Sequence, residues 1–302
     1  MRLSDLKKIS TNAWKLLIET FKDFFGNNVP RLAAALAYYS IFSIAPLLVI
    51  AIAVAGLIFG NDAAQVQVVT ELQNLVGKDA AGFVQHMIIS SSKSSSTIIA
   101  TILGVIFLLF GAIAVTFELK DDLNLIWGVQ PKPGIKGLIW SRVFSFGLVL
   151  ALGFLLLISL MINSFLTGIG NYLLGIFPAV NWILSIVNLI VSYALITLLF
   201  AAIFRVIPDA DLRWRNVWTG AFVTMVLFSI GKYLIGLYLG NTSFSSSYGA
   251  AGSLVVVLLW VNFTSQIVLF GAEFTKVYSR MSGYSLRPKS YAEAVKNKND
   301  ER

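Results

Sequence analysis

The amino-acid sequence predicts an all-α, polytopic membrane protein with six transmembrane helices and both termini in the cytoplasm. Three observations predict it. Of 302 residues, 57% are hydrophobic and only 13% charged, with mean hydropathy +0.79, whereas a soluble domain carries about 25% charge. Six apolar stretches are each long enough to cross a hydrocarbon core, which takes about 20 helical residues. Lysine and arginine crowd into alternate connecting segments and so fall on one side of the membrane.

In chain order, residues 1–31 hold Arg2, Lys7, Lys8, Lys15, Lys22 and Arg31 without an apolar h-region, so they do not read as a signal peptide. Trp14, Leu17, Ile18, Phe21 and Phe25 recur among them at helical spacing. Such a basic, one-sided helix suits either the membrane surface or a berth packed under the bundle. The spans fall near Ala33–Gly60, Ile98–Glu118, Ile139–Gly168, Trp182–Phe204, Val217–Leu239 and Gly252–Phe274. The first and third exceed the required length, and tilt or a kink at Pro46 absorbs the excess. Between the first two lies a long segment, 61–97, whose stripes Val68/Leu72/Leu75/Val76 and Phe83/Met87/Ile88 predict two short external helices. The run Ser90–Thr97 then reads as a hinge into the second span.

Charge fixes the orientation. Lys120, Lys132, Lys136 and Arg142 follow the second span, Arg205, Arg213 and Arg215 the fourth, and Lys276 with six further basic residues stands at the C-terminal end. The segments 169–181 and 240–251 have none. The chain therefore divides into a cytoplasmic amphipathic N-terminal helix (1–31), a six-helix transmembrane domain (32–276) and a basic cytoplasmic tail (277–302). The net charge of +8 is accounted for by this topology and by anionic lipid head groups at the cytoplasmic face. No stacking aromatics or reading module accompany it, so no nucleic-acid partner is expected. A homo-oligomer is compatible with the sequence.

The inventory argues against catalysis. The chain has no cysteine and a single histidine, His86, so thiolate chemistry, disulfides and a His-based metal centre are excluded. Neither a metal nor a cofactor is expected, and no ATP-binding P-loop occurs. The nearest thing to a carboxylate cluster is Asp121, Asp122, Asp209 and Asp211 on the cytoplasmic side. These read as structural: Asp211 as a cap of the fifth span, the others paired with neighbouring bases such as Arg213 and Arg215. Glu118 and Glu273 read as interfacial partners of Lys120 and Lys276.

One residue stands apart. Lys232 lies about four residues past the centre of the fifth span, roughly 6 Å at the helical rise. An ammonium at such depth costs about 2.5–3.5 kcal/mol on insertion scales. Its stem falls short of the interface, and no carboxylate sits at similar depth in another span. Tyr38, Tyr39 and Ser43 in the first span, Asn188 and Tyr193 in the fourth, and Asn262 and Gln266 in the sixth are polar at middle depths. Singly, each is ordinary glue between helices. Together with Lys232 they predict a polar cavity that binds substrate.

Several stretches carry a further signal: RLAAALAYYSIFSIAPLL (Arg31–Leu48), LKDDLNLIWGV (Leu119–Val129), IPDADLRWR (Ile207–Arg215), GKYLIGLYL (Gly231–Leu239) and the long run from Tyr248 to Thr275. In this order and spacing the chain resembles the YihY/BrkB family of bacterial inner-membrane proteins, from about Phe21 to Arg280. The resemblance implies a multi-pass protein of the bacterial inner membrane with six helices. Some relatives carry a ribonuclease label, which a chain with one histidine does not support. The expected function is transport or export of a small polar or anionic solute through a central cavity. The alternative is a non-transporting scaffold or assembly subunit of the envelope.

Overall fold

The computed structural model describes residues 3–42, 114–132, 181–241, 250–284 and 287–295, plus isolated helical positions at 65, 66, 69, 70, 73, 82 and 85. The expected third span, most of the second, Pro46, Ser43, His86 and most of the external segment lie outside the described residues, as does the Asn188 side chain.

The described chain is mostly helical. Helix α1 (Leu3–Gly26) is followed after Asn28, at φ 53°, by α2 (Val29–Phe42). Helix α3 covers residues 114–127. Then come α4 (Asn181–Val206), α5 (Trp214–Asn241) and α6 (Ala250–Met281). Three of these contain stretches long and apolar enough to cross a membrane: Leu189–Val206, Trp214–Tyr238 and Leu254–Met281. They match the last three expected spans. Helix α5 is central, packed on α4 along one side and α6 along the other, while α1 packs on α6.

Glycines permit the closest approach. A methyl at Gly220 would overlap Thr275, and one at Gly271 would overlap Thr224. Each threonine hydroxyl donates to the carbonyl of the glycine four residues before it on its own helix, at 2.7 Å. The two antiparallel helices thus meet through a reciprocal pair of Gly-x-x-x-Thr steps, the small-residue packing that lipid-embedded helices use.

Four short strands qualify the all-α expectation. Strand β1 (Val129–Pro131) pairs antiparallel with β4 (Ala292–Ala294), and β2 (Ala210–Asp211) with β3 (Arg287–Pro288). Pro131, Pro208 and Pro288 sit in or beside them, where a helix could not continue. Helix α6 ends in a Schellman turn: Gly283, at φ 72°, donates to Arg280, and Tyr284 donates to Ser279. That turn sends the chain back across the end of the bundle. The segment 287–295, read from sequence as part of a basic tail, is therefore a docked element that closes both sheets.

The main core lies towards this same end. Phe24, Leu32, Leu123, Ile126, Trp127, Phe204, Leu212, Val217 and Leu269 are all buried there. Towards the other end of α4 and α5, Ile190, Ile230, Tyr233 and Leu234 are exposed, as lipid-facing side chains should be.

Candidate functional site

Two polar places stand out, one at each end of α5. The first is a cleft of about 520 Å³ lined by Tyr193 and Ile196 of α4 and by Phe228, Ser229, Lys232 and Gly236 of α5, among others. Gly231 explains the aim of the lysine. Its bare face receives Phe263 and Ile267 of α6, so the next residue, about 100° round the helix, turns towards α4. Ser229 donates to the Met225 carbonyl at 2.8 Å. Phe228 closes the inner wall, edge-on to Phe200 at 5.7 Å and to Trp260 at 6.4 Å. The lining is mainly apolar, with one cation and three hydroxyl-bearing side chains, Tyr193, Ser229 and Tyr233, set into it.

Of the residues expected to bind substrate, the structure brings Lys232 and Tyr193 together and leaves others elsewhere. Asn262 and Gln266 bond to each other, Gln266 Nε2 donating to Asn262 Oδ1 at 2.7 Å, and neither lines the cleft. They act as a local pair one turn apart on α6. Tyr38 is 59% exposed and clusters edge-on with Tyr39 and Phe42. Among the described residues its aromatic contacts stay on α2. The sequence groups these residues by expected depth, and depth does not give the helix rotation.

The second place is a buried hub around Asp209, which is 0% exposed. Lys120 Nζ stands 2.8 Å from Asp209 Oδ1. Asn124 binds twice, its Nδ2 donating to Asp209 Oδ2 at 3.0 Å and its Oδ1 accepting from the Asp209 backbone at 2.8 Å. The Tyr291 hydroxyl bonds the same carboxylate; burial first, and then that negative charge and hydrogen bond, push its pKa up to about 12. The Asp209 carbonyl accepts from the Lys289 amide at 2.8 Å. Burial lowers the Lys289 ammonium pKa, against the pull of Asp209. One aspartate thereby ties α3, the α4–α5 connection and the C-terminal segment together.

The remaining acidic residues are sorted by burial. Asp211 does not cap α5, whose first turn instead hangs on the Arg213 carbonyl, accepting from Asn216 and Val217. It lies in β2 and pairs with Arg205. Among the described residues no ion pair joins Asp121 or Asp122 to Arg213 or Arg215. Arg213 instead stacks over Tyr284 at 5.6 Å, and Arg215 is exposed. Asp122 is buried with Oδ2 unpartnered among the described residues, and its pKa rises to about 7, through burial first and then the charges of Glu118 and Asp121. Lys120 reaches Asp209 rather than Glu118, whereas Lys276 does meet Glu273, at 3.2 Å. Asn124 and Tyr291 were not anticipated. A signal existed for Asn124, which stands four residues after Lys120 and so shares its helix face.

Comparison with known proteins agrees with the membrane reading. The family described as "Virulence factor BrkB" matches residues 20–295. A "UPF0761 membrane protein" of Verminephrobacter eiseniae is 28% identical over 89% of this chain and 64% of its own length. Another, from Albidiferax ferrireducens, is 25% identical over 90% of this chain and 64% of its own. One from Alteromonas mediterranea is 28% identical over 90% and 92%. The chain thus spans less than two thirds of the length of the first two. No solved structure matches.

Proposed function

The chain belongs to the BrkB virulence-factor family of bacterial membrane proteins, and from that premise we propose that it is a permease-like carrier or exporter of a small polar or anionic solute. The reading places six spans in the inner membrane with both termini cytoplasmic, and treats the protein as a non-enzyme. Its carrying observation is Lys232, a cation deep in an apolar span that faces an open cleft between α4 and α5. A deep intramembrane charge marks a pathway or ligand site by default. The Tyr193 hydroxyl supplies a donor beside it, and Ser229, whose own proton goes to the Met225 carbonyl, an acceptor. With a cleft of this size, the solute is a small one.

The cysteine-free chain makes the test direct. Ser229→Cys, reconstituted in vesicles, should react with a small anionic thiosulfonate faster than with its cationic counterpart, and Lys232→Met should abolish that preference. Proteoliposome uptake of inorganic phosphate and glutamate should fall at least tenfold in Lys232→Met while the protein keeps its melting temperature. An unreactive cysteine, or unchanged flux for a solute the parent protein carries, overturns the reading. The docked cytoplasmic segment favours the second reading, an envelope scaffold. That reading predicts no flux above empty vesicles for any solute.

A further inference from the structure

Helix α1 has two working faces, and α6 takes only one. Thr20 and Phe24 are buried, and Phe24 meets Phe270 at 5.6 Å. Next to them Glu19 pairs with Arg280 at 2.9 Å and Asp23 with Lys276 at 3.3 Å. Asn27, in the turn after the helix, bonds the fully buried Glu273. These contacts fix the rotation of α1. The residues left outward are large and apolar: Trp14 is 68% exposed, Ile18 52%, Phe21 51% and Phe25 64%, with Leu17 at 40%.

At about 100° per residue these five side chains fall within a sector of roughly 100° centred on Trp14. Lys15 and Lys22, both exposed, lie together about 90° from that centre, between the stripe and the Glu19 and Asp23 side chains that α6 holds. The order round the helix is therefore protein contact, apolar stripe, then basic edge. Depth is given by the partner. Phe21 sits 5.1 Å from Phe270, and Phe270 lies inside the apolar stretch Leu254–Met281. The stripe is thus level with the apolar stretch of α6.

We infer that α1 is an in-plane helix whose Trp14–Phe25 stripe is sunk into the cytoplasmic leaflet, with Lys15 and Lys22 holding anionic lipid head groups along its edge. A wholly apolar environment would leave the lysines unsolvated, and an aqueous one would expose five large apolar side chains. An interfacial position satisfies both. A second copy of the chain would need a matching acidic edge, whereas the exposed lysine edge complements phosphate.

Single cysteines at Trp14, Ile18 and Phe25, and at Lys15 and Lys22 as controls, allow spin labels to be placed on the full chain in phosphatidylglycerol-containing vesicles. Labels at 14, 18 and 25 should collide with oxygen in preference to a water-soluble nickel chelate, and labels at 15 and 22 the reverse. Replacing both lysines by glutamine should weaken the immersion in anionic vesicles, at about fivefold in partitioning per charge, and change nothing in purely zwitterionic ones. Chelate access along the whole stripe overturns the inference. Dipolar broadening between labels of two copies would identify a protein partner there and overturn it as well.

Discussion

Lys120 and Lys232 are both lysines carried by helices of an apolar chain, and the fold treats them in opposite ways. Lys120 is 2% exposed, with the Asp209 carboxylate at 2.8 Å and Asn124 beside it. Lys232 is half-buried at an open cleft, and among the described residues no salt bridge reaches it. A charge sealed with its counter-ion can bind nothing else; its work is to hold segments together. A charge that faces open space without a counter-ion keeps its Coulomb energy available for a ligand. Depth in the sequence singles out the second lysine and hides the first.

The largest effect that could break this contrast comes from the hub. Lys120→Met leaves Asp209 buried without its cation, and removal of one partner of such a pair costs about 3–5 kcal/mol. Lys232→Met removes a charge that no carboxylate among the described residues balances, so its melting temperature in detergent should match or exceed that of the parent. The double variant Lys120→Met/Asp209→Asn keeps acceptor and donor groups for Asn124 and Tyr291 and should recover much of the first loss. Equal destabilisation by the two lysine variants would erase the distinction between a structural and an available charge.

Glycine substitutions sharpen the same comparison at the level of packing. Gly271→Ala drives a methyl into Thr224, and overpacking of this kind costs about 1–3 kcal/mol. Gly236 lines the cleft, and nothing lies within 4 Å of where its Cβ would stand. Gly236→Ala should therefore be neutral or stabilise by about 0.4–1 kcal/mol, because alanine reduces the freedom of the unfolded chain. Thermal unfolding of the two variants side by side reads the tightness of the α5–α6 seam against the openness of the α4–α5 cleft.

Much of this could be read in advance, and the shortfall has a physical pattern. Hydropathy marked α4, α5 and α6, because a lipid-facing helix must be apolar all round. Periodicity marked the stripe on α1 but not its companion contact, since Thr20 and Phe24 bury themselves against a helix some 250 residues away in sequence. Tyr38, Asn262 and Gln266 do not line the Lys232 cleft, because depth is one coordinate and rotation is another. Segment 287–295 was hidden most deeply. Its two- and three-residue strands have no period of their own, and their partners at 129–131 and 210–211 are distant in the chain.

The buried carboxylate of Asp122 adds a pH dependence to the hub. Its folded pKa of about 7 stands above the ordinary value of 3.8, so the folded state holds the proton more tightly than the unfolded one. Stability contributed by the neutral acid is present below about pH 4 and is lost progressively as pH rises to about 7. Above that the loss is complete and the curve flattens. Asp122→Asn should remove this slope and raise stability at pH 8 by about 1–2 kcal/mol, after allowance for solvent screening. Unfolding midpoints of both proteins between pH 5 and pH 8, in one detergent, decide it. Parallel curves would mean that Asp122 is ionised in the folded protein, balanced by a cation.

The smallest expected effect lies at the surface of the same face. Asp121 and Arg213 have opposite signs and their segments lie on one side of the bundle, which from sequence suggested a shared network. Both are exposed, and Arg213 gives its guanidinium to the ring of Tyr284 at 5.6 Å. Exposed pairs contribute about 0–1 kcal/mol even when their atoms meet, and no salt bridge links these two among the described residues. Asp121→Lys and Arg213→Glu should each shift stability by less than about 0.5 kcal/mol from lost charge, with the arginine change adding the loss of its aromatic contact. Combined, they should be additive. The buried pair behaves differently, because Lys120 and Asp209 share a dry environment and should couple by several times that amount. A coupling energy at Asp121 and Arg213 as large as that of the buried pair would show that the two segments close on each other more tightly than their exposure allows. It would move the boundary between hub and surface outward by a full layer of side chains.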